Sequence, residues 1–255
     1  MYEPHRPFPI RSTVKRKATG QIWTDPRQEG EPLWPERFSC EALQRIAKDE
    51  AMSSHTAAGQ LQQRPTAGEG GLFKRQWFAN PVKFAPSNLR LVRSWDFASS
   101  VTISNDPDWT VGLLMGLDPH TRLLYVVDVI RARLTPGQRQ QRVRSTALLD
   151  GDDVRIRIPQ DPGGAGKFEA HHFVSILQGY SVSIELEQGT KERRADPFAA
   201  QCEHGFVKLV EGSWNKAFID ELCAFPNGAH DDQVDAASAA FRALMRRVSV
   251  HAIGV

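Results

Sequence analysis

Cysteine is scarce in this chain. Three occur among 255 residues, Cys40, Cys202 and Cys223, an odd number with no C-x-x-C spacing. That excludes a disulfide framework and a zinc–thiolate site, and it points to a reducing compartment. Long apolar runs are missing as well. No stretch approaches the ~20 residues that span a bilayer, and Met1–Lys17 lacks the apolar segment of a secretory leader, so no membrane partner is expected. Surplus charge of one sign is also absent. The 32 Lys+Arg and 30 Asp+Glu leave +2, so any nucleic-acid contact must come from local charge distribution. Internal repeats and low-complexity tracts are lacking. What remains, 40% hydrophobic and 24% charged residues, is the composition of one folded domain with a real core.

The chain reads in three parts. Residues 1–29 carry basic residues (Arg6, Arg11, Lys15, Arg16, Lys17) without hydrophobic periodicity and read as an extended or disordered arm. Residues 30–85 read as a helical linker. Ser39 is placed to cap a helix from Cys40, with Leu43, Ile46 and Ala47 on one face, and a second short helix about 54–63 ends before Arg64-Pro65. Residues 86–250 carry the regular pattern. LRLVRSWDFAS, DWTVGLLMGLD and RLLYVVDVIRARL read as strands, the last two joined by the Asp118-Pro119-His120 turn. Pro136 opens a helix. VRIRIPQ is a strand, DPGGAG a turn, KFEAHHFVSILQ a helix and SVSIELEQ a strand. A helix over about 190–203, the strand GFVKLV and helices at 214–224 and 231–247 complete the chain. Three antiparallel strands followed by alternating helices and strands predict an α/β fold, an RNase H-like mixed sheet flanked by helices.

Carboxylates stand where chemistry would use them. Asp96 lies inside the first strand, against strand propensity; a satisfied buried polar group or a strand-end turn is the alternative. Asp161 ends a strand at the mouth of a glycine turn, where sites in α/β folds gather; helix capping is the equal alternative. GGAGK lacks the spacing of a phosphate loop, since Phe168 follows Lys167. Asp231, Asp232 and Asp235 open the last helix. At roughly 100° per residue, Asp231 and Asp235 project within about 40° of each other. Val234, Ala237, Phe241, Leu244 and Val248 form the opposite apolar stripe. Acids suit a helix start, but three so close repel, and a divalent cation relieves that. Oxygen donors without a Cys/His cluster point to Mg²⁺ or Mn²⁺. Carboxylates converging from these three places could hold two such ions about 4 Å apart.

GEPLWPERFS, LQQRPTAGEGGLFKRQWF, RSWDFA, QDPGGAGK, KERRADPFAAQCEHGFVKLV and PNGAHDDQVDA, in that order, resemble the C-terminal nuclease domain of tailed-phage terminase large subunits. The resemblance implies an RNase H-like fold and two-metal cleavage of double-stranded DNA during genome packaging in the host bacterial cytoplasm. Asp96, Asp161 and Asp231 match the metal-binding triad, with Asp232 and Asp235 assisting; His230 could bind metal or substrate. The family's usual ATPase half, with its Walker motifs, is not found in this sequence. The implied partners are therefore DNA, a separate ATPase, the small subunit and the portal protein. Arg131, Arg133, Lys167, Lys191, Arg193 and Arg194 are candidate phosphate contacts. A RuvC-like junction resolvase and a catalytically silent prophage relic that binds DNA or portal stand as alternatives.

Overall fold

The computed structural model describes residues 71–97, 109–186 and 188–246, with a few positions between 14 and 45. The chain divides into two compact units, Met1–Glu69 and Gly70–Val255. In the first, Val14–Lys15 pairs antiparallel with Ile22–Trp23. The Ser39 hydroxyl accepts a hydrogen bond from the Ala42 amide at 3.2 Å, as expected of a capping serine. The short helix expected at 54–63 and the end of the apolar stripe at Val248 lie outside the described residues.

The second unit is built on a six-stranded mixed sheet. Strands β1 (Arg90–Asp96), β2 (Thr110–Leu117) and β3 (Leu124–Ala132) form an antiparallel meander. There follow α1 (Pro136–Asp150), β4 (Arg155–Gln160), α2 (Gly164–Ile176), β5 (Val182–Leu186), α3 (Lys191–Glu203), β6 (Val207–Leu209), α4 (Asn215–Ala224) and α5 (Asp232–Met245). The strand order is β5-β4-β1-β2-β3-β6. β4 joins β1 in parallel, β5 joins β4 and β6 joins β3 likewise. This is the order of elements that the hydrophobic patterning predicts.

Local chemistry sets the elements. Asp118 accepts hydrogen bonds from the His120 amide (2.9 Å) and the Thr121 hydroxyl (2.8 Å), closing the β2–β3 turn. These bonds hold its carboxyl below the ordinary value. Thr135 and Gln138 form a capping box ahead of α1, with Pro136 at the first helical position. β2 is buried at all eight residues, because both faces of the sheet are covered and its sequence is accordingly a continuous apolar run. Gly112 of β2 lies beneath the Trp95 indole; a Cβ there would stand 2.6 Å from the ring.

Two cores flank the sheet. Trp95, Ile156 and Ile158 pack with Val143, Phe173 and Leu177 of the α1–α2 layer. Val92, Val111, Leu113 and Met115 face the opposite side, against Phe198, Phe218, Leu222, Val234, Ala237 and Phe241 from α3, α4 and α5. Truncating one of these phenylalanines removes about 3–5 kcal/mol.

Two boundaries and one buried face differ from the sequence reading. Residues 71–85 belong to the core rather than to a linker: Leu72, Phe73 and Phe78 are buried, the Leu72 amide donates to the Phe225 carbonyl at 3.0 Å, and Val82 bridges Val210. A single 3₁₀ turn (Arg75–Phe78) and extended chain leave no period to detect. Helix α2 begins at Gly164 rather than Lys167, so the glycines form its first turn. Helix α5 does not expose a polar face. Asp232, Gln233, Asp235 and Ser238 are buried along with the apolar stripe, because α3 and α4 close over the helix from outside.

Candidate functional site

The three candidate acids reach one edge of the sheet by separate routes. β1 and β4 run parallel with Ser94 opposite Arg157, so Asp96 at the end of β1 and Asp161 just after β4 leave the same edge. Asp96 alternates with Val92 and Ser94 and therefore projects to the face that carries α5. The far end of α5 is tied to the opposite edge. The Arg90 guanidinium donates to the Leu244 carbonyl at 2.6 Å, and Arg155 donates to the Ala243 carbonyl. These arginines begin β1 and β4, so α5 runs back along β1. Its 14 residues span about 21 Å, against about 23 Å for seven-residue β1. The start of α5, with Asp231, Asp232 and Asp235, thus lies at the edge where Asp96 and Asp161 emerge.

The surroundings of Asp161 and of the acids on α5 differ. Gly166 presses on Asp161: a Cβ there would sit 2.4 Å from the Asp161 carbonyl oxygen and 2.8 Å from its Cβ. This contact explains a glycine inside the first turn of α2. Asp231 occupies the N-cap of α5 but makes no side-chain capping bond. Its Oδ1 instead accepts from Lys191 Nζ at 2.6 Å. Lys191 also lies 3.4 Å from Asp235, and Arg194 donates to Asp235 Oδ1 at 2.7 Å. Burial opposes the Lys191 charge, but its bond to Asp231 and the charges of Asp235 and Asp231 outweigh that and raise its pKa. Asp232 is buried, 4.0 Å from His230 Nδ1. The repulsion among acids at this helix start is therefore relieved by two basic side chains of α3, a role that the sequence reading gave to a divalent ion. Lys191 and Arg194, read from the sequence as phosphate contacts, face these carboxylates.

Among the described residues, no three Asp, Glu, His or Cys side chains are drawn close enough together to hold a metal ion. Asp96, Asp161 and Asp231 share an edge rather than a closed ligand sphere. In donor type they fit a hard divalent cation: all the donors are carboxylate oxygens, and a Lys ammonium already stands between Asp231 and the neighbouring Asp235.

The remaining basic candidates divide. Lys167 and Arg193 are exposed in the first turns of α2 and α3. Arg131 and Arg133 lie at the end of β3, opposite the start of β2, and so at the same edge. Both guanidiniums stack on the Trp109 ring, 4.1 and 4.3 Å from its centroid, with His230 edge-on at 6.4 Å. Trp109 also packs against the core, and the sequence reading does not identify this platform. It also missed Glu221 of α4, buried and 3.1 Å from Arg131. The Arg-x-Arg pair on one strand face was the legible signal for the first; no local signal marked the second. Among the described residues, no helix is long and apolar enough to cross a membrane.

A mixed sheet with acids at the β1/β4 edge and at an adjoining helix start defines an RNase H-like domain. Residues 93–244 match the model of the terminase RNase H-like domain, and the chain belongs to that family. The large terminase nuclease of thermophilic phage G20c with bound cobalt is similar in structure, at TM-score 0.51 and 16% identity over 69% of this chain and 98% of that one. The same nuclease with bound magnesium gives 0.50 and 16% over 69% and 98%. The P22 large terminase nuclease domain gives 0.51 and 14% over 70% and 95%. At such identities the likeness carries the fold. No curated protein matches the sequence.

Proposed function

We propose that this chain is a metal-dependent endonuclease that cuts double-stranded DNA during phage genome packaging. Asp96, Asp161 and Asp231 are its divalent-ion ligands, with Asp232 and Asp235 in support. The observation that carries the reading is the common sheet edge reached by Asp96, Asp161 and Asp231 in a terminase RNase H-like domain. The bound cobalt and magnesium of the G20c nuclease support divalent-ion use. Two Mg²⁺ or Mn²⁺ ions would activate a water and stabilise the departing 3′-oxygen.

The chain's own residues supply the rest. Lys191 and Arg194 balance the charge of Asp231 and Asp235. Trp109 stacks with Arg131 and Arg133 at the edge; Arg131 also pairs with Glu221, and Arg133, Lys167 and Arg193 would contact phosphates without reading sequence. That suits an enzyme that cuts any genome it packages. The ATPase, small subunit and portal are the partners this role requires.

The test is plasmid cleavage by purified protein with Mn²⁺, Mg²⁺ or EDTA. We expect metal-dependent nicking that falls at least about a thousandfold in Asp96→Ala and Asp231→Ala, in line with the several kcal/mol a metal centre supplies. No cleavage with either metal by folded protein overturns the reading. Preference for four-way junctions over linear duplex replaces it with a resolvase.

A further inference from the structure

The start of α5 contains an anomaly. Aspartate is among the best N-cap residues, because its carboxylate normally accepts from the amides of the first turn. Asp231 holds that position and does not cap. Only its backbone carbonyl serves the helix, accepting from the Asp235 amide at 2.9 Å. The missing acceptor comes from another helix. Glu221 Oε1 of α4 accepts from the Gln233 backbone amide at 2.6 Å, and Glu221 Oε2 accepts from Gln233 Nε2 at 2.6 Å. The Gln233 carboxamide also donates to the Ala217 carbonyl of α4 at 3.4 Å. Arg131 completes the surroundings of Glu221 at 3.1 Å.

The Glu221 side chain is 5% exposed. A buried carboxylate is costly unless its oxygens are paired, and here a backbone amide, a carboxamide and a guanidinium meet them. One carboxylate thereby joins the two functional features of this edge, the acid-bearing start of α5 and the arginines on Trp109.

We infer that Glu221 is a positioning residue for the metal centre. By capping α5 from outside it releases the Asp231 carboxylate from capping and turns it towards the edge shared with Asp96. The inference rests on the metal-centre reading above. Residues that orient ligands in this way typically change metal affinity 10–100-fold when removed.

The experiment uses the full chain without DNA. Mn²⁺ binding is measured by calorimetry, and hydrogen exchange of the first-turn amides of α5 is followed in metal-free protein. The variants are Glu221→Ala, Glu221→Gln and the swapped pair Glu221→Gln/Gln233→Glu. Glu221→Ala is expected to weaken Mn²⁺ binding by at least about tenfold and to speed exchange at Gln233. Glu221→Gln keeps an acceptor for the Gln233 amide but sets one carboxamide NH₂ against another, so an intermediate loss is expected. The swapped pair restores a carboxylate–carboxamide contact and is expected to recover most of the binding. Folded Glu221 variants that bind Mn²⁺ as the parent does, or a swapped pair as weak as Glu221→Gln, overturn the positioning role and leave the metal centre standing. A parent chain that binds no Mn²⁺ overturns the metal centre itself.

Discussion

Arg93 and Asp96 stand three residues apart on β1 and point to opposite faces of the sheet. Around Arg93, Asp150 accepts two hydrogen bonds at 2.7 Å, Asp128 accepts one at 2.8 Å and the Gly112 carbonyl one at 3.1 Å. The side chain is 3% exposed. Burial opposes its charge, but the bonds to Asp150 and the nearby Asp128 more than restore it, so its pKa rises. At the edge that Asp96 reaches, the start of α5 brings Asp231, Asp232 and Asp235 beside the basic side chains of α3. Lys191 and Arg194 pair with Asp231 and Asp235 there, and the Lys191 and Asp231 side chains stay 48% and 31% exposed. The same chemical groups thus surround a buried guanidinium on one face and make exposed ammonium–carboxylate pairs at the edge beside the other. A buried charge is tolerable only when it is fully partnered, whereas an exposed pair contributes little to stability.

Removing the buried guanidinium is expected to have the largest effect. Arg93→Ala strands Asp150 and should cost about 3–5 kcal/mol, read as a fall in the urea midpoint. Asp231→Ala, by the same measure, should cost less than about 1 kcal/mol. Equal losses would erase the distinction. Next comes Gly166→Ala, which forces a methyl onto the Asp161 backbone. It should cost about 1–3 kcal/mol in thermal melts and weaken Mn²⁺ binding as Asp161 shifts. A melt like the parent's would show that the α2 start adapts freely. The smallest effect on stability belongs to Lys191→Met. A half-exposed pair contributes about 0–1 kcal/mol, so stability should barely move, while Mn²⁺ affinity measured by calorimetry should rise as a competing cation is removed. A fall in that affinity would make Lys191 a support for the acids and not a competitor.

Much of this architecture was legible from periodicity. The meander, the alternating helices and strands and their order follow from period-2 and period-3.6 patterns that each find a covered face. Asp96 was legible because an acid in an apolar strand contradicts propensity, and the last helix because three acids open it. Elsewhere the determining contacts lie far apart in sequence. Phe73 and Phe78 sit in text without a period, so their burial became visible only when α3 and α4 packed over them. Glu221 in KAFIDELCAF reads as one more charge on an amphipathic helix. Its meaning depends on Gln233, twelve residues later and in another helix. Lys191 and Arg194 read as basic surface because nothing local announces that Asp231 and Asp235 lie within reach.

The indole of Trp95 over Gly112 has a mechanical consequence. Ladder hydrogen bonds are nearly indifferent to a one-residue slip between β1 and β2, but the ring fits only where its partner carries no side chain. The neighbours of Gly112 are Val111 and Leu113, so a slip either way would drive a branched side chain into the aromatic plane. A missing methyl group therefore acts as a detent. It keeps Asp96 opposite Val111 and on the side of the sheet where the last helix lies.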